Sequence, residues 1–239
     1  MSEDHFIDTN LVIGYTVAWD NHRPKVKKYV NFCKDISVYA TERVLTEAER
    51  VINERRRLAS QAANRIFHDF SGTPPINLDH VVNFTRRELG GNPSNAVDHV
   101  IQYIKSEPTL YKSLIGTDNP NALNLTVDDI NSDFNQAVDV IDQLRLATDP
   151  DFDLELFTGH LQDYSSEYSC FSRLDSIFGS STVDRDILLD AHHFTQTTGP
   201  SPLQFVTMDF HHIHANSGDI ESLLGGIQIK KPDDFRPSG

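Results

Sequence analysis

No stretch of the chain approaches the eighteen or so consecutive apolar residues that a membrane-spanning helix requires. The N-terminus is acidic and enters a strand by His5, without the basic and apolar regions of a secretory leader, so the expected location is the cytoplasm, with no membrane partner. Cysteine is equally scarce. Cys33 and Cys170 stand far apart with neither metal-ligand nor redox spacing, which excludes a disulfide framework and leaves two buried or half-buried thiols. Internal repeats are absent, as are a Gly-rich phosphate loop and any Ser/His/Asp arrangement, so nucleotide-cradling and covalent serine chemistry find no support.

Positive charge is the other shortage. Only 8 lysines stand among 239 residues, and the net charge is −14, which argues against a non-specific grip on phosphate. The distribution softens that objection. Residues 1–90 hold 13 Lys and Arg against 12 Asp and Glu, a balance of +1, whereas residues 91–239 hold 8 against 23, a balance of −15. Segment 118–167 alone carries 12 acids and one base, Arg145. Asp outnumbers Glu by 25 to 10, a bias that suits a salt-rich cytosol in which surface acid serves solvation. In that setting net charge says little about partners.

What is present alternates strand and helix at both ends, with a long helical middle. Strand one spans 5–8, a basic helix runs from about Arg23 to Lys34, and Ile36–Ala40 is a second short apolar strand. Thr41 then caps a long helix to about Phe70, stopped by Ser71-Gly72-Thr73-Pro74-Pro75. From Ile76 to about Tyr164 the pattern gives several helices, broken at Gly90–Pro93, Gly116–Pro120 and Asp149-Pro150. A helix over Ser165–Phe178, one carrying Asp184, a strand at Gln204–Thr207, a His-rich loop, a short helix at Asp219–Leu224 and a strand at Gly226–Ile229 complete the chain; the tail from Lys230, with Pro232 and Pro237, reads as frayed. The expectation is an α/β fold with a parallel sheet of four or five strands, helices on both faces, and a helical insertion over 71–164 between parts 1–70 and 165–239.

Open parallel sheets place their sites beyond the C-terminal ends of the strands, where Asp8 and Asp209 fall. Asp8 closes His5-Phe6-Ile7, although it could simply cap a helix starting at Thr9. Asp209 closes Phe205-Val206-Thr207-Met208, with an ordinary turn role as its alternative. Asp184 shares a helix face with Ile187, Leu188 and Ala191, while Asp186 and Asp190 project to the opposite, solvated side; Ser181 with Asp184 also forms a capping-box pattern. Periodicity cannot choose between Glu47 and Glu49, which sit on opposite borders of the apolar face Val44, Leu45, Ala48, Val51 and Ile52.

In order and context, Asp8, Glu47 within Val44-Leu45-Thr46-Glu47-Ala48, Asp184 and Asp209 in a Thr-x-Asp strand end resemble the PIN-domain family of metal-dependent ribonucleases. The resemblance covers about 5–70 and 165–229, and it breaks the tie in favour of Glu47, leaving Glu49 and Asp186 as substitutes. It implies an acidic pocket that holds Mg²⁺ or Mn²⁺ and hydrolyses RNA by attack of a metal-activated water, leaving 5′-phosphate and 3′-hydroxyl ends. Carboxylates gathered this way repel one another unless a hard divalent cation neutralises them. The Thr9 hydroxyl and Asn10 amide, with Thr207, are expected to orient the acids. Lys25, Lys27, Lys28, Arg55, Arg56 and Arg57 flank the first two motifs and are the expected RNA contacts. The resemblance is compatible with an antitoxin or other protein partner and with a homodimer.

The chain departs from the family pattern where many members carry a further acid and it has His211. His211, His212 and His214 do not match a closed zinc spacing and read as a polar loop, with a phosphate contact by His211 or His212 as the alternative. Haloacid-dehalogenase-like phosphatases also begin with an acidic strand end, but they need a second Asp where this chain has Asn10. A rival reading from another class is a catalytically inactive PIN-like scaffold that binds RNA or protein through its acidic insertion.

Overall fold

The computed structural model describes residues 4–74, 77–179, 181–198 and 202–235. In chain order its elements are β1 (His5–Ile7), α1 (Thr9–Thr16), α2 (Arg23–Phe32), β2 (Val38–Ala40), α3 (Glu42–Phe70), α4 (Leu78–Glu88), α5 (Ser94–Ser106), α6 (Pro108–Lys112), α7 (Pro120–Arg145), β3 (Leu154–Leu156), α8 (Phe171–Phe178), α9 (Thr182–Thr198), β4 (Leu203–Val206), α10 (Ser217–Leu224) and β5 (Ile227–Lys230). The five strands form one sheet, β3-β2-β1-β4-β5, and every pairing is parallel. Strand order runs one way from β1 to β3 and the other way from β4 to β5. The reversal falls between β1 and β4, where such sheets leave a crevice at their carboxyl ends.

Alternation along β1 sends successive side chains to opposite faces and so covers both. Phe6 packs against Phe194 of α9 with ring centroids 6.0 Å apart, and its register partner Tyr39 meets the same ring at 4.5 Å. His5 faces the other way, onto Tyr29 of α2 at 5.7 Å and Phe235 at 4.5 Å. A sheet buried on both faces needs apolar strands throughout, and β1 and β4 are buried at every position.

The chain divides into two compact units, one of Met1–Thr16, His22–Ala48 and Val140–Gly239, the other of Val17–Asn21 and Glu49–Asp139. The first contains the sheet. In the second, which is helical, Trp19, Tyr103 and Phe134 form an aromatic cluster with centroids 4.7–5.2 Å apart, and the Tyr103 hydroxyl donates to Asp133 Oδ2 at 2.7 Å. Arg55 is buried there against Asp20, 3.8 Å away.

Three expectations need correction. The helical insertion 71–164 is helical through α7, but Leu154–Leu156 forms the edge strand β3, parallel to β2, and residues 140–164 belong to the sheet unit. Asp149 sets up that strand: it accepts the Tyr15 hydroxyl at 2.7 Å and the N–H groups of Asp151 and Phe152. The helix expected from Ser165 begins only at Phe171. The tail is docked rather than frayed as far as Phe235, where a short 3₁₀ turn at Pro232–Asp234 brings Phe235 onto His5, Tyr29 and Phe32 and pairs Asp233 with Lys25 at 2.7 Å. Pro75, Ile76 and Pro237 lie outside the described residues.

Phe194 bridges the rings of Phe6, Tyr39 and Phe157, so Phe194→Ala should lower the free energy of unfolding by about 3–5 kcal/mol. Replacing the exposed Leu146 by Ser should change it by less than about 0.5 kcal/mol. Urea titration followed by circular dichroism measures both. Equal effects would overturn the packing account.

Candidate functional site

Asp8 is the first residue beyond β1, and the β1–β4 register places it beside Thr207, with its N–H donating to Val206 O at 3.1 Å. The side chain is 1% exposed. Three donors stand in for water: the Thr9 N–H reaches Oδ1 at 2.7 Å, and the Thr207 hydroxyl and Asn10 amide reach Oδ2 at 2.7 and 3.3 Å. Asp8 directly precedes α1, and its carboxylate accepts the N–H of that helix's first residue, Thr9. Burial still dominates and pushes its pKa up to about 6, against the lowering by the Thr207, Thr9 and Asn10 hydrogen bonds and with a further rise from the Asp209 charge. The expectation for Thr9 changes in kind: its backbone holds the carboxylate, and its buried hydroxyl has no hydrogen-bond partner among the described residues.

Thr207 organises the end of β4. Its hydroxyl donates to Asp8 and accepts the Asp209 N–H at 3.0 Å, and its carbonyl accepts from His214 Nε2 at 3.0 Å. Asp209 in turn accepts the N–H groups of His211 and His212 at Oδ1, both at 2.9 Å, and its Oδ2 lies 3.3 Å from His212 Nδ1. The turn role and a place in the cluster thus coexist in one residue.

Asp184, in the first turn of α9, is half-buried, and its carboxyl is pushed up to about 7, first by burial and then by the negative charges of Asp8, Asp209 and Glu47, with His212 opposing. Asp184 thus has acids from the ends of β1 and β4 and from α3 as its charged neighbours. Glu47 is the α3 acid whose charge reaches Asp184. Glu49 falls in the helical unit. One ligand atom each from Asp184, Asp209 and His212 lies within 4.8 Å of the others, so the three can hold one cation. His212, expected as part of a polar loop, stands within that group. Its sequence signal was its spacing of three from Asp209 in a turn.

Asp186 does not substitute for Asp184, because Arg43 Nη1 at 3.2 Å and Arg185 Nη2 at 2.8 Å engage it. Asp190, expected to be solvated, is fully buried and accepts from the Thr41 hydroxyl at 2.8 Å, the Tyr164 hydroxyl at 2.7 Å and Arg43 Nε at 3.2 Å. The basic set is also thinned. Arg55 is a core residue whose guanidinium burial pushes down to about 10, Arg56 donates to Asn135 at 2.6 Å, Arg57 donates to Gln61 at 3.5 Å, and Lys25 pairs with Asp233. Lys27 and Lys28 are exposed. Among the described residues no helix is long and apolar enough to cross a membrane.

No protein-family model, curated protein or solved structure matches this chain. The site is accordingly read from its own chemistry.

Asp8 and Asp184 have folded pKa values above the ordinary carboxylate value of 3.8, so the fold holds these protons more tightly than the unfolded chain does. The stability this contributes is complete below about pH 4 and is lost as pH rises through about 6 to 7. Metal-free protein should therefore melt at progressively lower temperature across that window. Asp184→Asn should melt higher than the parent at about pH 8 and alike at about pH 4. A lower melting temperature for the variant at about pH 8 would show that the ionised carboxylate supports the fold.

Proposed function

We propose that this chain is a PIN-like, metal-dependent phosphodiester hydrolase acting on RNA. The observation that supports the reading is the grouping of Asp184, Asp209 and His212, with Asp8 tied to the same strand end through Thr207, at the switch point of a parallel sheet. Carboxylates gathered with an imidazole call for a cation, and such hard oxygen ligands with one nitrogen suit Mg²⁺ or, better, Mn²⁺, which accepts nitrogen more readily. Asp184, Asp209 and His212 would hold the ion, with Asp8 and Glu47 beside them. A divalent cation in this setting supplies Lewis acidity toward the phosphate and the attacking water.

The chain's own groups supply orientation. Three donors hold the Asp8 carboxylate, so it meets its ligand without reorganising. Asp209 is held by two backbone N–H groups on one oxygen, which leaves the other toward His212. Thr207 sets both acids at once, and its loss should be felt at both.

Purified protein with Mn²⁺ should cut a labelled RNA to 5′-phosphate and 3′-hydroxyl ends, chelator should stop it, and Asp8→Asn or Asp209→Asn should reduce the rate more than about 100-fold. If the protein binds Mn²⁺ calorimetrically yet cuts no RNA, the inactive scaffold is the better reading. Thr207→Val, which keeps the shape but removes the hydroxyl, should cost about 10–100-fold in Mn²⁺ affinity or kcat while leaving a cooperative melt. Unchanged Mn²⁺ affinity and kcat would mean that the acids do not depend on it.

A further inference from the structure

His212 stands three residues after Asp209, and its backbone is held on both sides: the N–H donates to Asp209 Oδ1 at 2.9 Å, and the carbonyl accepts from the Asn216 amide at 2.7 Å. From that fixed backbone the ring reaches Asp209, where Nδ1 lies 3.3 Å from Oδ2. The separation is long for a hydrogen bond, whose N···O distance runs at about 2.7–3.2 Å. It matches the edge of a four-coordinate shell, since ligands about 2.0–2.1 Å from a tetrahedral ion stand about 3.3 Å from one another. Six-coordinate Mg²⁺, with bonds of the same length, needs edges nearer about 2.9 Å. Two backbone N–H groups consume Asp209 Oδ1, so this residue offers a single oxygen, and Asp184 supplies the third atom of the group. The half-exposed His212 ring leaves a route from solvent to that point.

Imidazole nitrogen suits borderline ions such as Zn²⁺ and Co²⁺, whereas Mg²⁺ keeps to oxygen and to a six-fold shell. Two carboxylate oxygens, one imidazole nitrogen and an open fourth position are the donor set of a zinc-type site that still admits water or a substrate oxygen. We infer that Asp184, Asp209 and His212 form a three-ligand site for a borderline divalent cation of the zinc class, in which His212 sets the selectivity against Mg²⁺. The inference rests on the cation site of the hydrolase reading and not on its RNA step. Where the PIN pattern has a further acid, this chain has His211 and then His212, so a hard oxygen ligand gives way to nitrogen.

Oxygen sites also rank Zn²⁺ above Mn²⁺, so rank alone is no test; the readout is how far the Zn²⁺-to-Mg²⁺ affinity ratio moves when the imidazole is removed. Calorimetry on the full chain measures both ions, Zn²⁺ in competition with a chelator, for the parent, His212→Asp, His212→Gln and His211→Gln. His212→Asp exchanges nitrogen for oxygen and should lower the ratio by at least about 10- to 100-fold. His212→Gln adds no charge and should lower it in the same direction, which separates loss of the ligand from added repulsion. His211→Gln should leave the ratio where it is. Partial unfolding weakens both ions together, so it does not mimic a change in their ratio. Co²⁺ adds a spectroscopic readout: the four-coordinate ion absorbs intensely in the visible and the six-coordinate ion faintly, so the parent should give the intense spectrum and His212→Asp the faint one. A ratio unchanged in both His212 variants, or a faint Co²⁺ spectrum in the parent, overturns the inference and leaves the hydrolase reading with a hard-ion site. If the ratio falls as expected yet the parent cuts no RNA in Zn²⁺, Mn²⁺ or Mg²⁺, the zinc-class site stands and the hydrolase reading fails.

Discussion

The hydrogen bond from the Thr207 hydroxyl to Asp8 Oδ2, 2.7 Å long, ties the carboxyl end of β1 to that of β4 at the one place where the sheet reverses its order. Burying an unsatisfied carboxylate costs several kcal/mol or drives it to take up a proton, so the donors at Asp8 offset a penalty that the packed sheet imposes. Thr207 spends every polar atom it has on this junction: the hydroxyl on Asp8 and on the Asp209 N–H, the backbone N–H on Lys230 O, and the carbonyl on His214. The ends of three strands and the histidine loop therefore share one residue. Displacing it would move two acids together.

A second buried junction works along the sheet unit. Asp190 gathers Thr41, Arg43 and Tyr164, and Arg43 also reaches Asp186 and the Leu161 carbonyl. Because Arg43 lies one turn before Glu47 on α3, and Asp190 lies on the helix that begins with Asp184, this network sets the two helices that deliver the remaining acids. A fully satisfied polar network is rigid in a way that apolar contact is not, since its members have few alternative partners. Repulsion among Asp8, Glu47, Asp184 and Asp209 would push their elements apart. Attraction at Asp190, Arg43 and Thr207 opposes it within the same layers of structure.

Much of the frame was legible because it depends on local pattern. The β1 and β4 runs, the Thr41 start of α3, the break before α5 and the Gly116–Pro120 stop before α7 all carry their signals within a few residues. Strand β3 was not legible: three residues, Leu154-Glu155-Leu156, are too few for periodicity, and they become a strand only because β2 offers an unpaired edge and Asp149 aims the chain at it. The docked tail is missed for the same reason, since nothing near Phe235 announces that His5, Tyr29 and Phe32 form its berth.

At the site, strand-end position marked Asp8 and Asp209, and helix-face geometry marked Asp184, but the expectation that Asp186 and Asp190 both project to a solvated side failed. Helical phase gives direction and not surroundings, and Arg43 and Tyr164 come from elsewhere in the chain to cover that side. The basic residues fail similarly. Of the expected basic contacts, Arg55 is buried against Asp20 and Lys25 pairs with Asp233, while Arg56 and Arg57 bond the neutral amides of Asn135 and Gln61. A hydrogen bond to a neutral amide leaves the charge of Arg56 and Arg57 in place, whereas the carboxylates of Asp20 and Asp233 offset that of Arg55 and Lys25, a distinction that only the folded chain reveals.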